Sequence, residues 1–190
     1  MERYDIINTL IRKYGYNSYL EIGTQHGNAF TKIDIPYKVC VDPVKCYDQL
    51  TYEMTSDEFF ANNKEKFDII FVDGLHLEDQ CSLDIENSLK ALNKNGTIVV
   101  HDCLPHCEEY TKVQWNGTVF KSIIDLRYNN PDITVEVVDT DHGCGIIRRG
   151  TQSLYNAVDI NTAKTYSFFA SNRNELMNVI STDEFLLKYS

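Results

Sequence analysis

Positive charge is scarce in this chain. Its 18 lysines and arginines face 28 aspartates and glutamates, a formal charge of −10, so the surface as a whole repels phosphate backbones and anionic lipid. That argues against a nucleic-acid partner. No apolar run approaches the ~18 residues of a membrane span, and Met1-Glu2-Arg3-Tyr4-Asp5 opens on mixed charge where a signal peptide would carry an apolar core. The expectation is a cytoplasmic protein with no membrane span. Low-complexity linkers and internal repeats are also missing. The two short echoes, Thr55-Ser56-Asp57-Glu58 and Ser181-Thr182-Asp183-Glu184, both read as helix capping boxes. What is present is 190 residues with 43% apolar and 12% aromatic content, enough for one domain with a sizeable core. Of the six cysteines, Cys40, Cys81 and Cys144 sit among apolar residues. They read as buried free thiols of a reducing compartment, not as a disulfide framework.

The pattern along the chain alternates. An amphipathic helix from Glu2 to Tyr14 stops at Gly15, and five strand-like runs come after it: Ser18 to Ile22, Tyr37 to Val41, a weak one near Leu50 to Met54, Phe67 to Val72, and Thr97 to His101. Between the last two, Leu77, Cys81, Ile85, Leu89 and Leu92 recur at helical spacing, and Asn95-Gly96 is expected to end that helix as a left-handed cap. Strands alternating with helices imply right-handed crossovers and a mostly parallel sheet. The runs FDIIFV and GTIVV are apolar throughout, as interior strands covered on both faces are. A further helix is expected from Val119 to Asn130, then two strands, Thr134 to Val138 and Cys144 to Arg148, joined as a hairpin that ends the sheet antiparallel. The last forty residues are amphipathic and less regular, with a late helix from Thr182 to Tyr189.

Tyr19-Leu20-Glu21-Ile22-Gly23-Thr24-Gln25-His26-Gly27 is a strand entering a turn with glycines four apart, followed in expectation by a helix. In an open α/β sheet such a turn lies at the carboxyl edge, where ligands bind. A dinucleotide fingerprint needs three glycines as G-x-G-x-x-G. Here only Gly23 and Gly27 are present, and the acidic Glu21 suits a cationic ligand better than a pyrophosphate. Asp42, ending the second strand 21 residues after Glu21, stands where a carboxylate takes ribose hydroxyls about 20 residues on; it could equally start a turn before Pro43. Ser56 and Asp57 can offer an amide and a hydroxyl to a purine edge while Thr55 caps a short helix.

The ordered set YLEIGTQHG, VCVDP, TSDEFF, FDIIFVDGLH and GTIVVHDC resembles the class I S-adenosylmethionine-dependent methyltransferases, over roughly residues 15 to 150. Within them it resembles a small group with DGLH and HDC motifs associated with glycan biosynthesis. The resemblance implies a Rossmann-like α/β fold: a mostly parallel seven-stranded sheet, helices on both faces, and a reversed last strand. It implies a methyltransferase domain over 1–150, with 151–190 as an extension that packs on it, covers it as a lid or forms a homodimer contact. By motif, Glu21, Gly23 and Thr24 would border the methionine part of S-adenosylmethionine, Asp42 would hold the ribose, Ser56 with Asp57 would lie near the adenine, and Gly27 and Asp73 would also belong to the cofactor site.

Asp73-Gly74-Leu75-His76 and His101-Asp102-Cys103 end neighbouring strands, so their polar groups should converge although 29 residues separate Asp73 from Asp102. By analogy with relatives acting on sugar hydroxyls, Asp73 and Asp102, with His101 beside them, would bind Mg²⁺ that chelates two acceptor oxygens. The sequence departs from those relatives in placing His76 and His101 where many carry carboxylates. His76 is a candidate general base for an acceptor hydroxyl; its plainer reading is a helix-start residue bonded to backbone. His101 could instead orient Asp102. His101, Cys103, His106 and Cys107 crowd together, but without the spacing of a zinc knuckle; an acceptor loop over 103–116 is favoured, with Trp115 either stacking on a sugar or stapling the loop. About 17 residues precede the first strand, which implies an acceptor side that is open or covered by a partner subunit. The expected activity is O-methylation of a sugar or similar polar small molecule. Alternatives are a metal-dependent hydrolase using Asp73, His76, His101 and Asp102, which leaves the glycine turn unexplained, and a non-catalytic cofactor-binding partner.

Overall fold

The structure, a computed structural model, describes all residues from Met1 to Ser190. Helix α1 (Arg3–Tyr14) forms because Ile6, Ile7, Leu10 and Ile11 make one buried stripe. It stops where Gly15, at φ 64°, turns left-handed and returns its N–H to the Ile11 carbonyl. The strands are β1 (Ser18–Ile22), β2 (Tyr37–Asp42), β3 (Tyr52–Glu53), β4 (Phe67–Val72), β5 (Leu92–Val100), β6 (Ile133–Val138), β7 (Cys144–Arg149) and β8 (Val179–Ile180). They build one sheet in the order β3-β2-β1-β4-β5-β7-β6-β8. Only β7 runs antiparallel to its neighbours. The expected seven-stranded, mostly parallel sheet with its reversed strand is there; the chain beyond β7 adds an eighth, two-residue strand parallel to β6.

The interior strands are apolar on both faces because both are covered. Ile70 and Val72 of β4 face one cluster, which helices α2 (Ser56–Asn62), α3 (Glu78–Ala91), α4 (Val119–Asn129) and α6 (Tyr166–Leu176) complete through Phe59, Ile85, Phe120 and Phe169. Ile69 and Phe71 face the other, completed by α1 and α7 (Thr182–Tyr189). Residues after 150 therefore enter the sheet and both layers: β8 at the sheet edge, a four-residue helix α5 (Ile160–Ala163) and α6 on one side, α7 on the other. Thr55 and Ser181 cap α2 and α7 through the boxes read from the sequence. All six cysteines are free, with Cys40, Cys81, Cys103 and Cys144 buried.

Two expectations fail. No α-helix succeeds the glycine turn; β1 reaches β2 through a single 3-10 turn at Phe30–Lys32. Gly23, Gln25 and Gly27 all take positive φ, which breaks the helical path at its start, and Pro36 biases the preceding residue to extended backbone. Gly96 is not a helix cap either. Helix α3 ends at Ala91 and passes directly into β5, and Gly96 lies inside that strand, where a Cβ would stand 2.6 Å from the Asp68 carbonyl oxygen.

Candidate active site

The carboxyl ends of β1, β2, β4 and β5 meet along one edge, stitched by backbone bonds from Gly23 N–H to Val41 O, Asp73 N–H to Ile22 O and His101 N–H to Val72 O. Gly23, at φ 84°, is pressed so closely on β4 that a Cβ would lie 2.1 Å from the Asp73 carbonyl oxygen. Glycine there lets the first turn and the DGLH segment share one wall. Gly27 in turn takes the ring of Tyr47 against its backbone, 2.8 Å from where a Cβ would stand. The Thr24 hydroxyl is buried with no hydrogen-bond partner within the chain. Asp42 stands beside this turn at the end of β2. Its two carboxylate oxygens accept from the Gln25 and Val44 amides at 2.8 Å each.

Asp73, His76, His101 and Asp102 come together as the sequence suggests. His76 Nε2 lies 3.2 Å from Asp102 and 3.7 Å from Asp73, and His101 Nδ1 lies 3.1 Å from Asp73 and 3.3 Å from Asp102. Asp102 adopts φ 63°, uncommon for a residue with a side chain, and is buried. The carboxylate and imidazole atoms of Asp73, His76 and Asp102 lie within 4.8 Å of one another, a donor set suited to a divalent cation. His76 Nδ1 donates to the Trp115 carbonyl. Because that carbonyl only accepts, the proton stays on Nδ1 and the Nε2 lone pair faces the Asp102 carboxylate, which favours a second proton or a cation between them. Burial works against charge on His76, yet Asp73, Asp102 and the Trp115 carbonyl outweigh it and raise its pKa.

Residues not anticipated complete the cluster. Arg3, on α1, grips Asp141 with Nε at 2.8 Å and Nη2 at 2.9 Å, and its Nη1 lies 3.6 Å from Asp73. Asp141 sits in the β6–β7 turn at φ 45° and stands 3.4 Å from His101 Nε2, a charge contact without hydrogen-bond geometry. Burial disfavours charge on all of them. Asp73, Asp102 and Asp141 nonetheless hold His101 cationic well above the usual imidazole range, while His101 and Arg3 hold Asp73 and Asp141 below the usual carboxylate range. Two signals were available in the sequence. Strand β6 runs parallel to β5, so the turn Asp139-Thr140-Asp141-His142-Gly143 had to lie over the same edge, and Gly117 marks a close approach. A Cβ on Gly117 would stand 1.8 Å from the His76 carbonyl oxygen.

The remaining predicted residues lie apart. Glu21 points to the α1 face, 1% exposed, accepting from the Tyr19 hydroxyl; burial first, then the Asp73 charge, push its pKa to about 8. Ser56 and Asp57, at the start of α2, accept from the Gln80 side chain at 3.3 and 3.1 Å. Cys103, His106 and Cys107 do not gather around an ion site with His101. The Cys103 thiol instead turns to the Val100 carbonyl at 3.3 Å, and the groups that meet His101 are Asp141 and Cys144. In the 103–116 loop, Tyr110 and Trp115 stack with ring centroids 4.7 Å apart, and Trp115 remains 45% exposed. The loop thus presents a partly open aromatic face beside His76.

A family model described as a methyltransferase domain matches residues 44–103, the stretch carrying Asp73, His76, His101 and Asp102. Among solved structures, an O-methyltransferase from Bacillus cereus in complex with S-adenosylhomocysteine is similar over 78% of this chain and 80% of its own, at 14% identity and a TM-score of 0.58. This is the methyltransferase fold. A methyltransferase from Podospora anserina, also bound to S-adenosylhomocysteine, shares it over 78% of each chain at 18% identity and a TM-score of 0.58. The O-methyltransferase TomG from Streptomyces achromogenes, involved in tomaymycin synthesis and solved with S-adenosylmethionine, shares it over 77% of this chain and 79% of its own, at 14% identity and a TM-score of 0.56. No curated protein matches the chain by sequence. No helix is long and apolar enough to cross a membrane.

Proposed function

We propose that this chain is an S-adenosylmethionine-dependent O-methyltransferase acting on a hydroxyl of a sugar or similar polar small molecule, assisted by a divalent cation such as Mg²⁺. The observation that carries the reading is the meeting of Asp73, His76 and Asp102 directly beside the Gly23 turn. The residues fit the donor: a buried, unpartnered Thr24 hydroxyl and an acidic Asp42 at the end of β2, both beside the Gly23 turn. S-adenosylmethionine supplies an electrophilic sulfonium methyl group. Bound at Asp73 and Asp102, a divalent cation would supply Lewis acidity toward the acceptor oxygen.

The chain's own groups then do the rest. His76, locked at Nδ1 by the Trp115 carbonyl, presents Nε2 toward the reacting edge and, in its neutral form, takes the acceptor hydroxyl proton; because burial is outweighed by Asp73 and Asp102, which raise its pKa, that form gains as pH increases. Arg3 and His101 keep Asp73 ionised, and His101 also braces Asp102, so that the acceptor meets a preorganised field. The test has two parts. Calorimetry should show S-adenosylmethionine and S-adenosylhomocysteine binding, and mass spectrometry of glycans incubated with labelled methyl donor should show a product that a chelator suppresses. Failure to bind either nucleoside would sink the proposal.

A further inference from the structure

A polar cavity of about 480 Å³ opens on the far side of the His76 wall, between the starts of α3 and α4 and the α5–α6 corner. Its size falls in the ~300–1,000 Å³ range of small-molecule sites. The wall is shared: Thr118 donates its N–H to the His76 carbonyl at 3.0 Å, and its hydroxyl accepts from Glu78 N–H at 2.8 Å. Glu78, Thr111, Thr118, Lys121, Asn161 and Tyr166 line the space. They offer a carboxylate, hydroxyls, an amide, an ammonium and a phenol ring, so donors and acceptors are mixed and one aromatic surface is present.

The charges settle what kind of ligand this suits. Lys164 is held by Glu78 and Asp125, each at 2.6 Å, and Lys121 stands 3.9 Å from the second Glu78 oxygen. Two cations are thus matched by two anions. A phosphate or carboxylate would meet Glu78, and a cation would meet two ammonium groups; a neutral polyhydroxylated ring can use both signs of partner at once. We infer that this cavity is a second carbohydrate site, taking a neutral sugar unit on the far side of the wall that carries His76. The inference rests on the proposed function only for the expectation that the ligand is a carbohydrate, and not for the chemistry of the cavity.

The test is a titration of ¹⁵N-labelled, S-adenosylhomocysteine-saturated protein with methyl glucoside, maltose, cellobiose, lactose and, separately, inorganic phosphate, followed by amide resonances. The expected result is that at least one neutral disaccharide shifts the amides of Thr111, Thr118 and Asn161. The double variant Lys121→Met with Asn161→Leu should weaken that binding at least tenfold and leave S-adenosylhomocysteine affinity unchanged. Three results overturn the site: no sugar shifts these amides, sugars shift only residues around Asp73 and His76 and ignore the double variant, or phosphate binds here and neutral sugars do not. If S-adenosylhomocysteine itself fails to bind, the methyltransferase reading falls. The same sugar titration on the unliganded protein then decides the cavity by itself.

Discussion

At the scale of single residues, His76 is defined by what touches its two nitrogens. The Trp115 carbonyl holds Nδ1–H, leaving Nε2 as the only basic atom. His76→Ala should therefore lower methyl transfer by about 10²–10⁴-fold, the usual worth of a general base, while S-adenosylhomocysteine affinity stays unchanged; a rate assay paired with calorimetry checks both halves. Glu21 behaves oppositely, as a buried acid kept neutral. Its carboxyl ionises near 4.5 in an unfolded chain and near 8 in the folded one. Between those values the unfolded state releases a proton that the folded state retains, so stability falls as pH rises from about 4.5 through about 8 and then levels. Glu21→Gln keeps an acceptor for the Tyr19 hydroxyl without the ionisation. Its urea midpoint should match the parent protein near pH 4.5 and exceed it near pH 9; parallel profiles would remove this account. The sequence showed Glu21 as an acid before a glycine turn, which suggested a ligand contact. Strand alternation instead sends its side chain to the α1 face, where Tyr19 also points.

At the scale of elements, the 103–118 segment is what orients the His76 ring at its strand end, through the Trp115 carbonyl and the Thr118 amide. Gly117 makes that possible, at φ 60° and with the His76 carbonyl where a Cβ would be. Gly117→Ala should push Trp115 and Thr118 off His76 and reduce turnover at least tenfold without unfolding the chain, which a kinetic measurement beside a circular-dichroism melt would show. Elements whose cause is local were legible beforehand. The α1 stripe and its Gly15 stop and the capping boxes of α2 and α7 lie in three- or four-residue spacings, and the apolar runs of β4 and β5 are contiguous. The helix expected after Gly27 was not, because nothing local announces that Tyr47, twenty residues on, packs against that turn. Gly96 misled for the same reason: its neighbour is the Asp68 carbonyl of another strand.

At the scale of the whole molecule, the residues after 150 are part of the core. Tyr155, Phe169, Leu176 and Phe185 are buried in the chain's own two layers, and Lys188 and Tyr189 of α7 satisfy the buried Glu136 carboxylate. Phe185→Ala should cost about 3–5 kcal/mol, read as a shifted urea midpoint with an unchanged slope. A value within ~0.5 kcal/mol of the parent, as at an ordinary surface site, would mean that α7 is only a loose cover. The sequence by itself determined the alternation of strands and helices, the reversed hairpin, and the set Asp73, His76, His101 and Asp102 at two neighbouring strand ends. These arise from periodicity, capping and strand order, which act over a few residues or through simple crossover rules. Only the tertiary structure decided that Arg3 would reach Asp141, 138 positions away, and that Trp115 would choose the tautomer of His76. Charges and carbonyls so far apart in the chain meet solely because the sheet order brings β5, β6 and α1 to one edge.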